Sequence, residues 1–470
     1  MDSEIIVSAF QDDSLGSDDA VVIAEKIKKG ELDAKTVTQD AIKRAELVNP
    51  KLNAIAVENF DEAQTNSAKS FTGFFQGVPT FIKDTDEVPG LQLYLGSRSL
   101  PGEPSERFSK AAKQIIDTGL NCLGTSTTPE FGLTGTTESL RFGATCNPWN
   151  PAYSTGGSSG GSSALVAAGV VPIAHANDGA GSIRIPASCC GLVGLKASRG
   201  RIKDKEVPGY LPANILHDGV VTRSVRDTWA FHAEIERNIP AKEYPAIGNI
   251  SDSFPEKLKI AVLTENCLGE NSPDELVQAT HDVARLCDSL GHKIEMISNP
   301  FYRKFDEDFW LLWAHFGFLI RYSVGKELSS KFDHTQLEQW PKYLITRHWK
   351  NIHRVPLAFW RLRRFVSQYE NFMQNFDILL TPTLGTTVPE LGFFSPEVSG
   401  KDHWERINDF LPFTKYQNIS GAPAITLPCG TDTKGLPIGI QLSSRIGEDR
   451  MLLKLSLQLE QNSNWKSLDK

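Results

Sequence analysis

Between residues 17 and 50 apolar side chains recur three and four positions apart, the spacing of helices that bury one face. The run SDDAVVIAEKIKKG opens on acidic residues, closes on lysines and ends at Gly30, an order that suits the helix dipole and a glycine C-cap. KTVTQDAIKRAELVNP puts Val37, Ala41, Ile42, Ala45 and Val48 on one face, and the helix is expected to stop before Pro50. KLNAIAVEN then predicts a strand, DEAQTNSAKS a helix, and GVPTFIKDT a short buried strand that delivers Lys83 to its end. The alternation of apolar strands and helices continues to about residue 200, as in KAAKQIIDTGLNCLGTS.

After residue 255 the pattern is simpler. KLKIAVLTE reads as a strand, DELVQATHDVARLCDSLG as a helix capped by Gly291, and HKIEMI as a strand. Residues 301–370, dense in Phe, Trp, Tyr, Lys and Arg, read as a helical layer packed beside the sheet. FDILLTPT, APAITLPCG and LPIGIQLSS are buried strands, and EDRMLLKLSLQLEQ is a closing helix. Neither an internal repeat nor a linker interrupts this order. It predicts one α/β domain over residues 1–470, built on a central sheet.

Charge removes some partners from the picture. A net charge of -8 gives no electrostatic reason to expect nucleic acid or an anionic membrane. The longest apolar runs, around Ala164–Ala174 and Phe309–Ile320, are too short to span a bilayer. The start, MDSEIIVSAFQDDSLGSDD, has neither a basic n-region nor an apolar core, so no signal peptide is expected. Seven cysteines without a CxxC, with Cys189 and Cys190 adjacent and pointing apart in a strand or turn, suggest reduced thiols in a cytoplasmic protein. The ten histidines include no HExxH, and His348 and His353 fall on different helix faces. No metal and no organic cofactor are expected.

Two glycine clusters carry the candidate chemistry. GGSSGGSS, residues 156–163, has the composition of a flexible tether, yet it runs straight into the apolar ALVAAG. A glycine-rich loop that enters a helix N-terminus points unpaired N–H groups outward, which suits an anion. The second cluster, NDGAGSIRIPAS, sets Ser182 behind Gly179, Ala180 and Gly181. Small residues in a row let backbone N–H groups converge on one point, the requirement for an oxyanion hole beside a nucleophilic serine. Ser182 needs a base. His175, in PIAHANDG, is one option, although a lone histidine in an apolar strand is more often a satisfied core residue. Lys83 is the other. A lysine amine, with an ordinary pKa of about 10.4, serves as a base only where its surroundings favour the neutral form. The apolar GVPTFI is such a setting, and a second serine would have to relay the proton.

These stretches together resemble the amidase signature family of serine amide hydrolases. The family's lysine lies at a GVP…KD strand end, matched by Gly77-Val78-Pro79 and Lys83-Asp84. Its bridging serine, on a cis peptide, is the first serine of GGSSGG, here Ser158, and its nucleophile is the serine of DxGGSIR, here Ser182. TPEFG, NPWNP, CGLVGLKASRGRI, DILLTPT, NISGAPAITLP and GLPIGIQL match as well, so the resemblance runs from about residue 15 to 460. It implies a mixed, twisted sheet with helices on both faces, and a Ser–cis-Ser–Lys relay through an acyl-enzyme. It also implies an oxyanion hole from the N–H groups of Gly179, Ala180, Gly181 and Ser182, supported by Ser159 and by Asp178, which orders the turn. Arg184 ties the loop down. The substrate implied is a small or medium apolar amide, and the alanine in the second cluster is similar to a subgroup that contains 6-aminohexanoate cyclic-dimer hydrolases.

Two departures from the family pattern are Ala180, where a positive φ would strain an alanine, and Thr125 with Thr127, where a lysine and an asparagine are usual. Both are expected at the substrate end. Within 301–370, Trp310, Trp313 and Phe316 are candidates to line an apolar acyl pocket. Three rival readings stand beside the amidase. Ser159 satisfies GxSxG, although a strand is not expected before it. A glutamine amidotransferase subunit would need partner chains, and a silent binding protein would keep the fold alone. No motif sets the oligomeric state; a homodimer is one option.

Overall fold

The structure, a computed structural model, describes residues 6–203, 208–250 and 257–469. Residues 1–5, part of the acidic start in which no signal peptide is expected, lie outside the described residues.

Helix α1 (Ala20–Lys29) is capped by the Asp19 side chain on Val22 N–H and ends at Gly30 in the left-handed region. Helix α2 (Ala34–Leu52) does not stop before Pro50 as expected but runs on to Leu52. Pro50 sits in the last turn, where losing one N–H bond is tolerable. Asn53 then turns left-handed at φ 51°, and Asn49 Oδ1 accepts the N–H groups of Ala54 and Ile55. One side chain thus anchors the exit that the proline weakens.

Eleven strands build the interior. Strands β1 (Ile55–Glu58), β2 (Pro79–Lys83) and β3 (Asn121–Ser126) form a three-stranded sheet in the order β1-β3-β2. The larger sheet has eight: β4 (Ile173–Asp178), β5 (Val193–Lys196), β6 (His217–Thr222), β7 (Lys259–Val262), β8 (Lys293–Met296), β9 (Ile378–Pro382), β10 (Ala424–Thr431) and β11 (Pro437–Ser443). Their spatial order is β8-β7-β9-β11-β10-β5-β6-β4. The pairs β7/β8 and β7/β9 are parallel and the rest antiparallel, so the sheet is mixed, as expected. Alternation at period two splits the strands between two cores. Ile260, Val262, Ile378 and Leu380 belong to one, with helices α5 (Val225–Asn238), α6 (Asp274–Ser289) and α10 (Asp449–Gln461); Ala261, Leu263 and Leu379 belong to the other.

Between β2 and β4 no backbone ladder forms, and side chains cross the gap instead. Thr80 Oγ1 donates to Ile173 O at 3.0 Å, and the Lys83 N–H donates to His175 Nδ1 at 3.2 Å. The expected central mixed sheet is the eight-stranded one; the three-stranded sheet adjoins it along this seam, where Lys83 stands.

The aromatic segment is helical as read. Helix α7 (Phe305–Leu319) continues through a π turn at Ile320–Val324, followed by α8 (Gln339–Asn351) and α9 (Val355–Met373). Much of it is core: Phe305 packs on Phe365 and Phe301 on Tyr416, each at 4.5 Å between ring centroids. All seven cysteines are free. Cys189 and Cys190 close a helix, Arg184–Cys190, where a strand or turn was expected.

Candidate active site

The first glycine cluster is ordered and buried, not a tether. Residues 156–159 form a tight loop that feeds helix α3 (Gly160–Ala167), and the Gly157–Ser158 peptide is cis. Glycine is required at 157 because a Cβ there would lie 2.2 Å from Thr136 O. The preceding Asn150–Ser154, expected to be loop, is a short strand paired with Cys146–Asn147. That pairing supplies the strand the GxSxG reading lacked, but Ser159 is wholly buried and lines none of the cavity described below.

Lys83, also wholly buried, is held at three points. Its Nζ donates to Ser158 Oγ at 2.7 Å, to Ser159 Oγ at 2.9 Å and to Asn177 Oδ1 at 2.7 Å. Asn177 was not singled out in the sequence. The available signal was strand periodicity, which puts it on the same face of β4 as His175, towards β2. His175 is no base for Ser182. Its Nδ1 accepts the Lys83 N–H, and its Nε2 lies 3.1 Å from Asp218 Oδ1. This assigns the proton to Nε2. Asp86, His175 and Asp218 do bring ligand atoms within 4.8 Å of one another, yet both imidazole nitrogens are already engaged.

Ser182 follows β4 on the turn that enters helix α4 (Arg184–Cys190). Asp178 shapes this turn: Oδ1 accepts Gly181 N–H at 2.7 Å and Oδ2 accepts Ile183 N–H at 3.2 Å. Arg184 grips the same carboxylate through Nε and Nη2, both at 2.9 Å. Burial works against charge on Asp178, but the guanidinium and the Asn418 amide hold its carboxyl well below the ordinary carboxylate range. Gly181 has φ +125°, and a Cβ there would meet Thr414 Oγ1 at 2.6 Å. Ala180, which a positive φ would strain, does not have one. Because Asp178 occupies the Gly181 N–H, the amides of this turn without a hydrogen-bond partner among the described residues are those of Gly179, Ala180 and Ser182.

Asn418 and Thr414 complete the turn from the far end of the chain. Asn418 Nδ2 donates to Asp178 O and Oδ1 and to Ile215 O, while its Oδ1 accepts from Arg184. Neither was read as a site residue; Asn418 lies in the matched stretch NISGAPAITLP, its one local signal.

Ser158 and Ser182 open onto one cavity of about 990 Å³. Its inner wall is apolar, from Leu133, Leu216, Trp313, Phe316 and Ile320. Trp313 and Phe316 line this cavity, whereas Trp310 lines a void of about 10 Å³ that Trp313, Ala180 and Ser182 also border, with its indole N–H on Asn408. Asp84 caps the loop that forms another wall, accepting the amides of Tyr94 and Gly96, and burial pushes its carboxyl up to about 7. The Thr125 and Thr127 departures lie away from this cavity. Thr127 is buried against Thr145 and Ala54 O, and Thr125 lies within β3.

Comparison with known proteins agrees with the architecture. The family model Amidase matches residues 36–453. "Putative amidase AmiC" of Mycobacterium tuberculosis (strain ATCC 25618 / H37Rv) is 41% identical over 463 residues, covering 98% of this chain and 97% of that protein. The 6-aminohexanoate-cyclic-dimer hydrolase of Paenarthrobacter ureafaciens is 32% identical, with 95% of each covered. A solved structure of 6-aminohexanoate cyclic dimer hydrolase complexed with substrate superposes with TM-score 0.85 at 30% identity, covering 95% of this chain and 97% of that one. Fold and matches define an amide-bond hydrolase. The chain belongs to the amidase signature family.

Proposed function

We propose that the chain cleaves its amide through an acyl-enzyme on Ser182, with Ser158 passing protons between Ser182 and Lys83. The observation that carries this reading is the 2.7 Å hydrogen bond from Lys83 to Ser158, a serine that shares a cavity with Ser182. Lys83 works as the neutral amine, its extra proton released to solvent water, with its lone pair turned to the Ser158 hydroxyl. Ser182 Oγ then attacks the carbonyl carbon, its proton moving to Ser158 as Ser158 hands one to Lys83. The oxygen that gains charge is held by the N–H groups of Gly179, Ala180 and Ser182. Gly181 leaves the set named from the sequence, since its N–H serves Asp178. Collapse breaks the C–N bond, the relay runs backwards to protonate the leaving amine, and water clears the ester.

The apolar inner wall favours a small or medium apolar acyl group packed on Trp313 and Phe316. Relatives named cyclic-dimer hydrolase and acylamidase make cyclic and linear oligoamides and aryl or alkyl amides the substrates to try first. The test is reaction with a fluorophosphonate followed by peptide mapping. Adduct on Ser182 that fades in Lys83→Ala and Ser158→Ala is the expected result. Adduct on Ser159, or labelling of Ser182 that both variants leave at full rate, would overturn the relay.

A further inference from the structure

Five of the chain's exposed large apolar side chains gather at one outer corner: Tyr322 after α7, Trp349 at the end of α8, Ile352 in the turn, and Leu357 and Trp360 at the start of α9. Each is 46–53% exposed. They form one surface. Trp349 packs on Phe318 and Tyr322 with ring centroids 5.4 and 6.2 Å apart. The adjoining His348 and Phe359, from α8 and α9, both close on His315, at 4.9 and 5.5 Å. Leu357, Trp360 and Arg364 stand three and four apart, on one face of α9. The opposite faces of α8 and α9 pack on α7.

Charge is just as uneven. Between Gln339 and Tyr369 the chain carries seven lysines and arginines and no acidic residue, although its net charge is -8. Arg354 and Arg361 are neutralised from α7, by Glu307 at 2.7 Å and Asp308 at 2.5 Å. Lys350, Arg363 and Arg364 are exposed and make no ion pair among the described residues. Arg364 lies over the Trp360 ring, 4.8 Å from its centroid.

We propose that this corner docks the chain peripherally on an anionic lipid bilayer, with Trp349 and Trp360 seated at the headgroup level. Indoles suit that boundary, since the ring is apolar and the N–H stays wet. Lysine and arginine beside them meet the lipid phosphates. The whole-chain charge is a poor guide here, because salt confines the attraction to about 10 Å and only the side facing the bilayer counts. A second copy of the chain fits the corner badly. A two-fold contact would face this basic corner with a second one of the same charge. No helix among the described residues is long and apolar enough to cross the membrane, so the contact is with its surface.

The experiment sediments the full chain with vesicles of phosphatidylcholine alone and of phosphatidylcholine with about 30% phosphatidylserine. Binding to the anionic vesicles is expected, at least about tenfold tighter than to the neutral ones, and weakening about tenfold at roughly 0.5 M salt. The pair Lys350→Glu with Arg364→Glu, and the pair Trp349→Ser with Trp360→Ser, should each cut binding about tenfold. Unchanged melting temperatures would show both to be folded. No sedimentation, equal binding to both vesicles, or full binding by either variant would overturn the proposal. A dimer in light scattering that the tryptophan variant splits would assign the corner to a second copy instead, and overturn it too.

Discussion

Thr414 Oγ1 donates to the Ala180 carbonyl at 2.6 Å, joining residues 234 positions apart. That bond turns the Ala180–Gly181 peptide so that its oxygen faces Thr414 and its N–H faces Asp178. The orientation of the whole turn before Ser182 depends on it.

Thr414→Val keeps the shape and deletes the donor. We expect kcat to fall about fivefold, matching the roughly 1 kcal/mol of one buried hydrogen bond, with KM nearly unchanged. Thr414→Ser should recover most of the loss. If the valine variant raised KM and spared kcat, the bond would not serve the turn.

The Asp178–Arg184 pair is wholly buried at 2.9 Å, so removing one partner strands the other. Asp178→Asn should cost about 3 kcal/mol or more in urea unfolding, since it removes the charge that faces Arg184 and turns one of the two oxygens that hold the Gly181 and Ile183 amides into a donor. A variant within about 0.5 kcal/mol of the parent would show that Gln417, Asn418 and Gln441 satisfy Arg184 alone.

Glu130 and Glu338 make stability depend on pH. Glu130 accepts Ser97 Oγ at 2.5 Å and Glu338 N–H at 2.8 Å, while Glu338 accepts Leu140 N–H at 2.6 Å. Burial pushes the Glu130 carboxyl up to about 7, and burial with the neighbouring Glu130 charge pushes Glu338 up to about 8. Both values lie above the 4.5 of the unfolded chain, so the folded state binds protons that the unfolded state releases. Their contribution is complete below about pH 4.5 and is lost as pH rises through about 7 to 8. Melting temperature should therefore fall from about pH 5 to about pH 8 and level off above, and Glu338→Gln should flatten the drop. Parallel curves for the two proteins would dismiss the pair as its source.

Trp313 lines both the main cavity and the small void, as Gly132, Leu133 and Ser182 do. Its ring reaches within 3.2 Å of where a Cβ on Gly179 would stand, and its indole N–H is fixed on Leu133 O at 2.9 Å. Trp313→Ala should join the two spaces and raise kcat/KM for long acyl chains about tenfold relative to acetyl. A chain-length profile that keeps its shape would place the acyl group elsewhere in the cavity.

Most elements, and the residues of the proposed relay, were legible because their signals are local. Lys83 ends an apolar strand, and Ser158 and Ser182 sit in glycine runs whose composition advertises close backbone approach. What stayed hidden depends on residues far apart in the chain. Nothing near Thr414 or Asn418 says that they meet Ala180 and Asp178. Nor does the apolar run of β2 reveal that it faces β4 across a seam of side chains. The N–H of Gly181 looked free because the expectation that Asp178 orders the turn does not say which amide its carboxylate takes. Pro50 misled for the opposite reason: the rule against proline in helices is strict in the interior and lenient in a last turn that Asn49 then secures.

The fastening of the turn by Thr414, Gln417, Asn418 and Gln441 also sets when the chain becomes reactive. A ribosome delivers Ser182 before any of these four residues. Until residues 414–441 have emerged, the turn before Ser182 lacks these fastenings, and the amides proposed to hold the charge are not yet aligned. On the proposed mechanism, activity arrives only when that later segment closes over the turn.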